Sequence, residues 1–236
     1  ATFRRDGSSV FPVDKYLNYP AFALGWNIGN EKFMQGVDFV NSLKLRGGYG
    51  VTGNQGIPAN ATTGSLSSNR YNFGSTNALG YFVSSLPNRS LQWEKTASWN
   101  AGVDFGLFND RITGSIDVYR QTTDNLLVQK SLPASNGAGS YWTNAAKTEG
   151  KGIEISLSTV NVRQNDFTWT MDVNFSLNRE KILALEEPGK MQDIGNGWFV
   201  GYPVNVIYDF NKIGIWQTNE ANIAAGYGSS DFSPRE

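Results

Sequence analysis

The sequence predicts an all-β protein, an antiparallel up-and-down transmembrane β-barrel to which this chain contributes about eight strands. Three observations carry that expectation. Apolar and polar residues alternate over stretches longer than soluble strands keep up. Aromatic residues recur toward both ends of the apolar faces. Short and long connections follow one another in order, as they do when tight turns lie at one rim of a barrel and larger loops at the other.

The alternation is clearest from Phe167 to Asn178. Phe167, Trp169, Met171, Val173, Phe175 and Leu177 oppose Thr168, Thr170, Asp172, Asn174, Ser176 and Asn178. From Leu91 to Leu107 the apolar set holds Trp93, Trp99, Val103 and Phe105, and the other face holds Glu94, Ser98, Asn100 and Asp104. After Arg111, Ile112, Ile116 and Val118 oppose Thr113, Ser115, Asp117 and Tyr119. Ile153, Ile155 and Leu157 alternate with Glu154, Ser156 and Ser158; the phase changes at Thr159–Val160, which predicts a bulge or a strand end. Shorter strands are expected at Ala1–Arg5, Ala21–Gly29, Leu43–Thr52 and Val204–Phe210. Glu31–Leu43 is the one helix candidate, from the spacing of Phe33, Met34, Val37 and Val40.

Asn109-Asp110 and Gln164-Asn165-Asp166 supply tight-turn chemistry. The connections at about 53–90, 130–150 and 184–202 are rich in Gly, Ser, Asn and Pro and read as long loops. A soluble antiparallel sandwich would also show one apolar face per strand. Its strands average about 5–6 residues, whereas a membrane strand needs about 9–11. Trp93, Trp99, Phe105, Phe167 and Trp169 are expected to form aromatic girdles at the two interfaces.

Composition removes several functions. The 236 residues include no Cys and no His, so there is no thiolate site and no Ser-His-Asp triad, and the commonest metal ligand is missing. No cofactor is called for. The net charge of −1 offers no field for nucleic acid. Asp104, Asp117, Glu154 and Asp172 fall on the polar faces. Paired carboxylates can hydrolyse glycosides only at a defined separation. In a hairpin turning at Asn109-Asp110, Asp104 lies across from Ser115 and Asp117 from Gly102, so these two acids are diagonal. They read as a hydrated lumen wall, and no enzyme is expected. Gly48-Tyr49-Gly50-Val51-Thr52-Gly53 matches G-x-G-x-x-G, but Asn54-Gln55-Gly56-Ile57-Pro58 follows in place of a helix, so it reads as the end of a glycine-rich strand. Asn60-Ala61-Thr62 and Asn88-Arg89-Ser90 match glycosylation acceptors by chance. Tyr71, Phe73, Tyr81, Phe82, Tyr141, Trp142, Trp198 and Phe199 lie in the expected loops. Their rings could stack on a ligand or a lid, or close the loops over one another.

The wording of the strands adds a resemblance. The series Leu43-Lys44-Leu45-Arg46-Gly47-Gly48-Tyr49-Gly50, Leu91-Gln92-Trp93-Glu94-Lys95-Thr96, Asn100-Ala101-Gly102-Val103-Asp104-Phe105, Thr122-Thr123-Asp124-Asn125-Leu126-Leu127 and Gly150-Lys151-Gly152-Ile153-Glu154 resembles the C-terminal half of a SusC/RagA-type barrel over nearly the whole chain. That resemblance implies a barrel of about 22 strands, held in the outer membrane of a Gram-negative bacterium. It also implies uptake of oligosaccharide or peptide driven through TonB, with a SusD-like surface lipoprotein as lid and outer-membrane lipid around the barrel. Residues 1–236 then form a partial barrel domain, with the plug and the final strands outside this sequence. A structural or interaction role in a larger outer-membrane assembly is the second expectation. A soluble β-rich binding module is the third.

Overall fold

Period-two patterning has one stable outcome when both faces of a strand must be satisfied at once, and that is a sheet. The computed structural model describes residues 1–209 and gives eleven strands. They are β1 (Thr2–Gly7), β2 (Tyr16–Asn27), β3 (Val40–Asn54), β4 (Ser65–Phe73), β5 (Thr76–Leu86), β6 (Glu94–Leu107), β7 (Ile112–Ser131), β8 (Ser140–Gln164), β9 (Phe167–Leu185), β10 (Gln192–Asp193) and β11 (Trp198–Phe199). β1, β2, β3, β6, β7, β8 and β9 pair in that order as one antiparallel wall. The wall is an open piece of barrel within the unit Ala1–Val206.

Register sets the two faces. Trp26, Leu45, Val103, Ile116, Ile155 and Phe175 lie on one continuous row across six strands. Leu24, Ala101, Val118, Ile153 and Leu177 lie on the next row toward the loop side. These are outward apolar rows, exposed or half-buried, the arrangement a lipid-facing wall requires. On β9 the apolar run from Phe167 to Leu177 extends about 34 Å at roughly 3.4 Å per residue. A tilt of about 40° foreshortens this to about 26 Å, close to the height of an outer-membrane apolar band.

The connections alternate between the two rims, but their lengths keep the expected parity only in part, since 28–39 on the turn rim is longer than 8–15 or 132–139 on the loop rim. The segments 28–39, 108–111 and 165–166 lie at one rim, and 8–15, 55–93 and 132–139 at the other. The 108–111 turn holds Phe108, Asn109 and Asp110 all at positive φ, near +54° to +58°. Asn and Asp accept that region readily. Phe108 is held there by stacking on Phe39 at 5.9 Å and by donating its N–H to the Phe39 carbonyl at 2.8 Å. The phase change near Thr159 is a bulge: Val160 pairs with Thr170 and Val162 with Trp169, leaving Asn161 unpaired. Arg111 closes the bulge, donating through Nη2 to the Asn161 carbonyl at 3.0 Å.

Four sequence expectations are corrected. Glu31–Leu43 is not an α-helix: 3-10 turns at Ile28–Asn30 and Lys32–Met34 lead through Gly36, at φ +102°, into β3. Phe33 packs edge-on against Trp26 at 6.3 Å, while Val40 onward joins the β6 ladder, so the apolar spacing serves two different contacts. The segment 53–90 holds the β4–β5 hairpin, which attaches through a short parallel pairing, Ser85 with Ser140 and Leu86 with Tyr141. The expected loop at 130–150 narrows to 132–139, because β7 and β8 run on past the band and stay paired to Ser131 and Ser140. Val204–Phe210 forms no strand over residues 204–209, and Phe210 lies outside the described residues. Val204 instead packs by its side chain against Ala146, Ile182 and Leu185.

The loop rim has a core of its own. Phe11, Ile57, Ala61, Leu91 and Trp93 from the connections converge with Leu17 of β2. Trp93 and Phe11 rings lie 5.0 Å apart, and the Trp93 indole donates to the Asp14 carbonyl at 2.8 Å. Leu91 is fully buried. Leu91→Ala should therefore cost about 2–5 kcal/mol of local stability. Hydrogen exchange and limited proteolysis should show segments 8–15 and 55–64 opening faster, with the β6–β9 wall still protected.

Candidate functional site

The inner face of the wall is built by the other half of each alternation. Arg46, Gly102, Asp117 and Glu154 lie in one cross-strand row over β3, β6, β7 and β8. Lys44, Asp104 and Ser115 form the next. Arg46 donates through Nε to both Asp104 carboxylate oxygens at 3.0 Å and through Nη2 to Asp117 Oδ2 at 2.7 Å. One guanidinium thus joins three strands, using the planar fork that Lys lacks. Gly102 makes this possible: a Cβ there would lie 2.4 Å from Asp117 Oδ1 and 3.0 Å from Arg46 Cζ. Glu154 pairs directly across from Asp117 and forms no ion pair among the described residues. Asp172 pairs with Ser158 nearer the turn rim.

All four predicted inner acids therefore share one face. Asp104 and Asp117 are diagonal, as the hairpin geometry requires, with Arg46 bridging them. Sequence reasoning missed Arg46 and the direct Asp117–Glu154 pairing. The first was visible in the alternation Leu43-Lys44-Leu45-Arg46; the second needs the β7–β8 register, which a distant loop sets. A cleft of about 600 Å³ lies along this face, lined by Arg46, Asn100, Asp117, Tyr119, Gln121 and Glu154. It presents both donors and acceptors. No trio of His, Cys, Asp or Glu able to hold a metal occurs among the described residues.

The aromatic candidates divide. Trp99 lies on the outward face in the row of Phe22 and Tyr49, whose rings are 5.7 Å apart. Phe167 and Trp169 lie at the turn edge of β9, and Phe105 lies over Gly114 in the row that reaches Val173. Trp93 is not part of a girdle, since it sits in the loop-rim core with 5 % of its surface exposed. Tyr71, Phe73 and Phe82 occupy one face of the β4–β5 hairpin and Tyr81 the other, beside Leu66, Leu79 and Val83. Phe73 and Tyr81 are 71 % and 69 % exposed. Trp142 packs against the loop-rim core, and Trp198 against Ile182 and its neighbours. Tyr141 pairs with Lys130 and Leu86. The Phe199 ring meets Tyr202 at 6.4 Å. The acceptor-like Asn88 is committed elsewhere: its amide donates to the Trp142 carbonyl at 2.9 Å, and its Oδ1 accepts from Ser90.

A family profile described as TonB dependent receptor-like, beta-barrel, matches residues 1–233. The chain belongs to that family. It is 35 % identical over 223 residues to TonB-dependent receptor P39 of Formosa agariphila, covering 94 % of this chain and 21 % of that protein. It is also 35 % identical over 238 residues to TonB-dependent receptor SusC of Bacteroides thetaiotaomicron, covering 90 % and 23 %. Among solved structures, the RagAB peptide importer in its closed-closed state superposes with a TM-score of 0.73 at 28 % identity, covering 85 % of this chain and 22 % of that one. The chain thus spans between a fifth and a quarter of the curated relatives it matches. The resemblance to the SusC/RagA barrels stands on these findings, and so does the transmembrane β-barrel fold.

Beyond the apolar band, at the loop side, the small β10–β11 hairpin is clipped to β7. Lys130 Nζ lies 3.1 Å from Asp193 Oδ2, and Asn196 Nδ2 donates to Asp193 Oδ1 at 3.1 Å. Burial alone would push the Asp193 carboxyl up; Asn196 and Lys130, with the nearby Lys190, outweigh it and hold it below its ordinary 3.8. The clip therefore contributes at neutral pH and is lost as pH falls below that value. Asp193→Asn should raise hydrogen exchange at residues 192–199 at neutral pH and abolish its acid dependence there. On the inner wall, Arg46→Met should lower barrel stability by about 1 kcal/mol, since pairs this exposed are worth little singly and the loss comes mainly from the unbridged carboxylates. The deficit, read from thermal melting in detergent, should shrink at high salt.

Proposed function

We propose that the chain is a wall of an outer-membrane importer of the SusC type in a Gram-negative bacterium. It would act with a SusD-like surface lipoprotein as lid and TonB as energy source, and oligosaccharides or peptides would be its cargo. The observation that carries this reading is the two-faced wall, with its apolar outer band of about 26 Å and a continuous polar inner face. The relatives supply the class: SusC is named a TonB-dependent receptor, and RagAB a peptide importer.

The exposed β4–β5 hairpin is the surface assigned to lid or cargo. It projects from the loop side, joined to the wall mainly through β8, with aromatic residues on both faces. Phe73 and Tyr81 offer rigid rings at low entropic cost, the property that makes aromatics strong contacts. Trp142 and Trp198 support the loops from beneath, by packing.

The intact protein, extracted from the outer membrane in mild detergent, should bring a SusD-like lipoprotein with it. Joint Phe73→Ala and Tyr81→Ala substitution should weaken lid retention or uptake at least fivefold, while the melting temperature stays within a degree or two. Co-purification with unrelated barrels alone would favour a structural role in a larger assembly. Recovery as a folded monomer in the soluble fraction would refute the importer.

A further inference from the structure

The outward face carries one feature that transport does not use. The row of Phe22, Tyr49 and Trp99 continues across β7, β8 and β9 as Arg120, Lys151 and Arg179. On the next row toward the loop side, Glu149 and Lys181 pair across β8 and β9. Glu149 is 5 % exposed and is held by Arg120 and by Lys181 at 3.5 Å. Lys151 and Arg179 make no ion pair with an acid among the described residues. Four cations therefore face one carboxylate, on the face that also bears the lipid-side apolar rows.

Directly below this cluster the wall is apolar. A cleft of about 280 Å³ opens on the outward face, lined by Trp99, Arg120, Lys151, Ile153, Leu177 and Arg179. Its upper edge is cationic and its floor is hydrocarbon, with the Trp99 indole along one side. Adjacent strands stand about 4.8 Å apart, so three paired cations span only about 10 Å. Long basic side chains at that spacing can converge on a single phosphate group. An ordinary snorkelling residue reaches water alone from the end of a strand; here three are in register at the band edge.

We propose that Arg120, Lys151 and Arg179 bind the phosphate of a membrane lipid whose acyl chain lies in the cleft over Ile153 and Leu177. Charge and shape select this occupant: a free anion would leave the apolar floor bare, and a neutral lipid would leave Lys151 and Arg179 unpaired. Glu149 keeps Arg120 and Lys181 upright at the rear of the site. The proposal rests on the membrane-barrel reading above, with the loop side of the wall at the headgroup level of the outer leaflet.

The test uses the intact protein from outer membranes, reconstituted in nanodiscs of phosphatidylcholine containing a minor fraction of phosphatidic acid. Native mass spectrometry reads the lipid retained after release. The wild type should keep phosphatidic acid in preference to phosphatidylcholine. Joint Lys151→Gln and Arg179→Gln substitution should reduce that retention at least tenfold, whereas Lys151→Arg with Arg179→Lys should keep it. The charge-conserving pair controls for folding. Equal retention by wild type and the Gln pair, or effective competition by inorganic phosphate, would overturn the lipid site. Absence of the protein from the outer-membrane fraction would instead overturn the importer reading, and it is read before any lipid is added.

Discussion

Within hydrocarbon, an unpaired backbone N–H or C=O costs several kcal/mol, and no water is present to relieve it. That constraint orders everything else in this wall. From β2 to β9 each interior strand must find a ladder on both sides, so the register cannot slip. Through β6, β7 and β8 the pairing runs unbroken from Leu107 to Thr96, from Ile112 to Thr123 and from Gly150 to Val160. A slip of one residue would send Asp117 and Glu154 into lipid and Ile116 and Ile155 into water. Backbone pairing and side-chain partition therefore enforce the same arrangement, and neither needs a buried core between two sheets.

What the inner face does with its freedom follows from that rigidity. Because the rows are fixed, Arg46 can count on a carboxylate one strand away and another two strands away, with Gly102 keeping the space between them open. Glycine recurs on this wall for the same reason. Tyr119 lies over Gly152, where a Cβ would come within 2.6 Å of the ring, and Phe105 lies over Gly114. A large ring on one strand covers the bare backbone of the next, which restores packing where glycine would otherwise weaken the sheet. Both faces of the wall thus use pairs of large and absent side chains, Tyr119 with Gly152 on the polar face and Phe105 with Gly114 on the apolar one.

The parts legible in the sequence are those the membrane dictates. Inside the band, outward positions must be apolar, so Phe167–Leu177, Trp99–Leu107 and Ile153–Leu157 declare their faces residue by residue. Outside the band that demand ends. β7 and β8 continue to Ser131 and from Ser140 without alternation, through Lys130, Thr143 and Asn144, and so read as loop. The β4–β5 hairpin was hidden for a related reason: Tyr71, Phe73 and Phe82 on one face, and Leu66, Leu79 and Tyr81 on the other, cancel the period-two signal. Trp93 misled by its position, in phase with Trp99 yet beyond the last residue that pairs into β6. The inner acids were legible individually, but Arg46 bridging Asp104 and Asp117 required knowledge of three strands at once.

The same boundary explains why this protein needs a conventional core only at its loop rim. Once β7 and β8 rise above the band, lipid no longer solvates apolar side chains, and the ordinary cost of exposing them to water returns. Phe11, Leu17, Ile57, Leu91 and Trp93 answer that cost on one flank, and Ala146, Ile182 and Leu185 on the other. Each cluster draws in a sequence-distant segment: 8–15 and 55–64 to the first, 198–204 to the second. Trp142 and Trp198 give part of their surface to holding these segments down. The hairpin beyond them keeps its rings free because it is not required to close anything. The aromatic residues thus serve different ends at different heights: Trp93 and Phe11 close the rim core, while Phe73 and Tyr81 stay exposed on the hairpin.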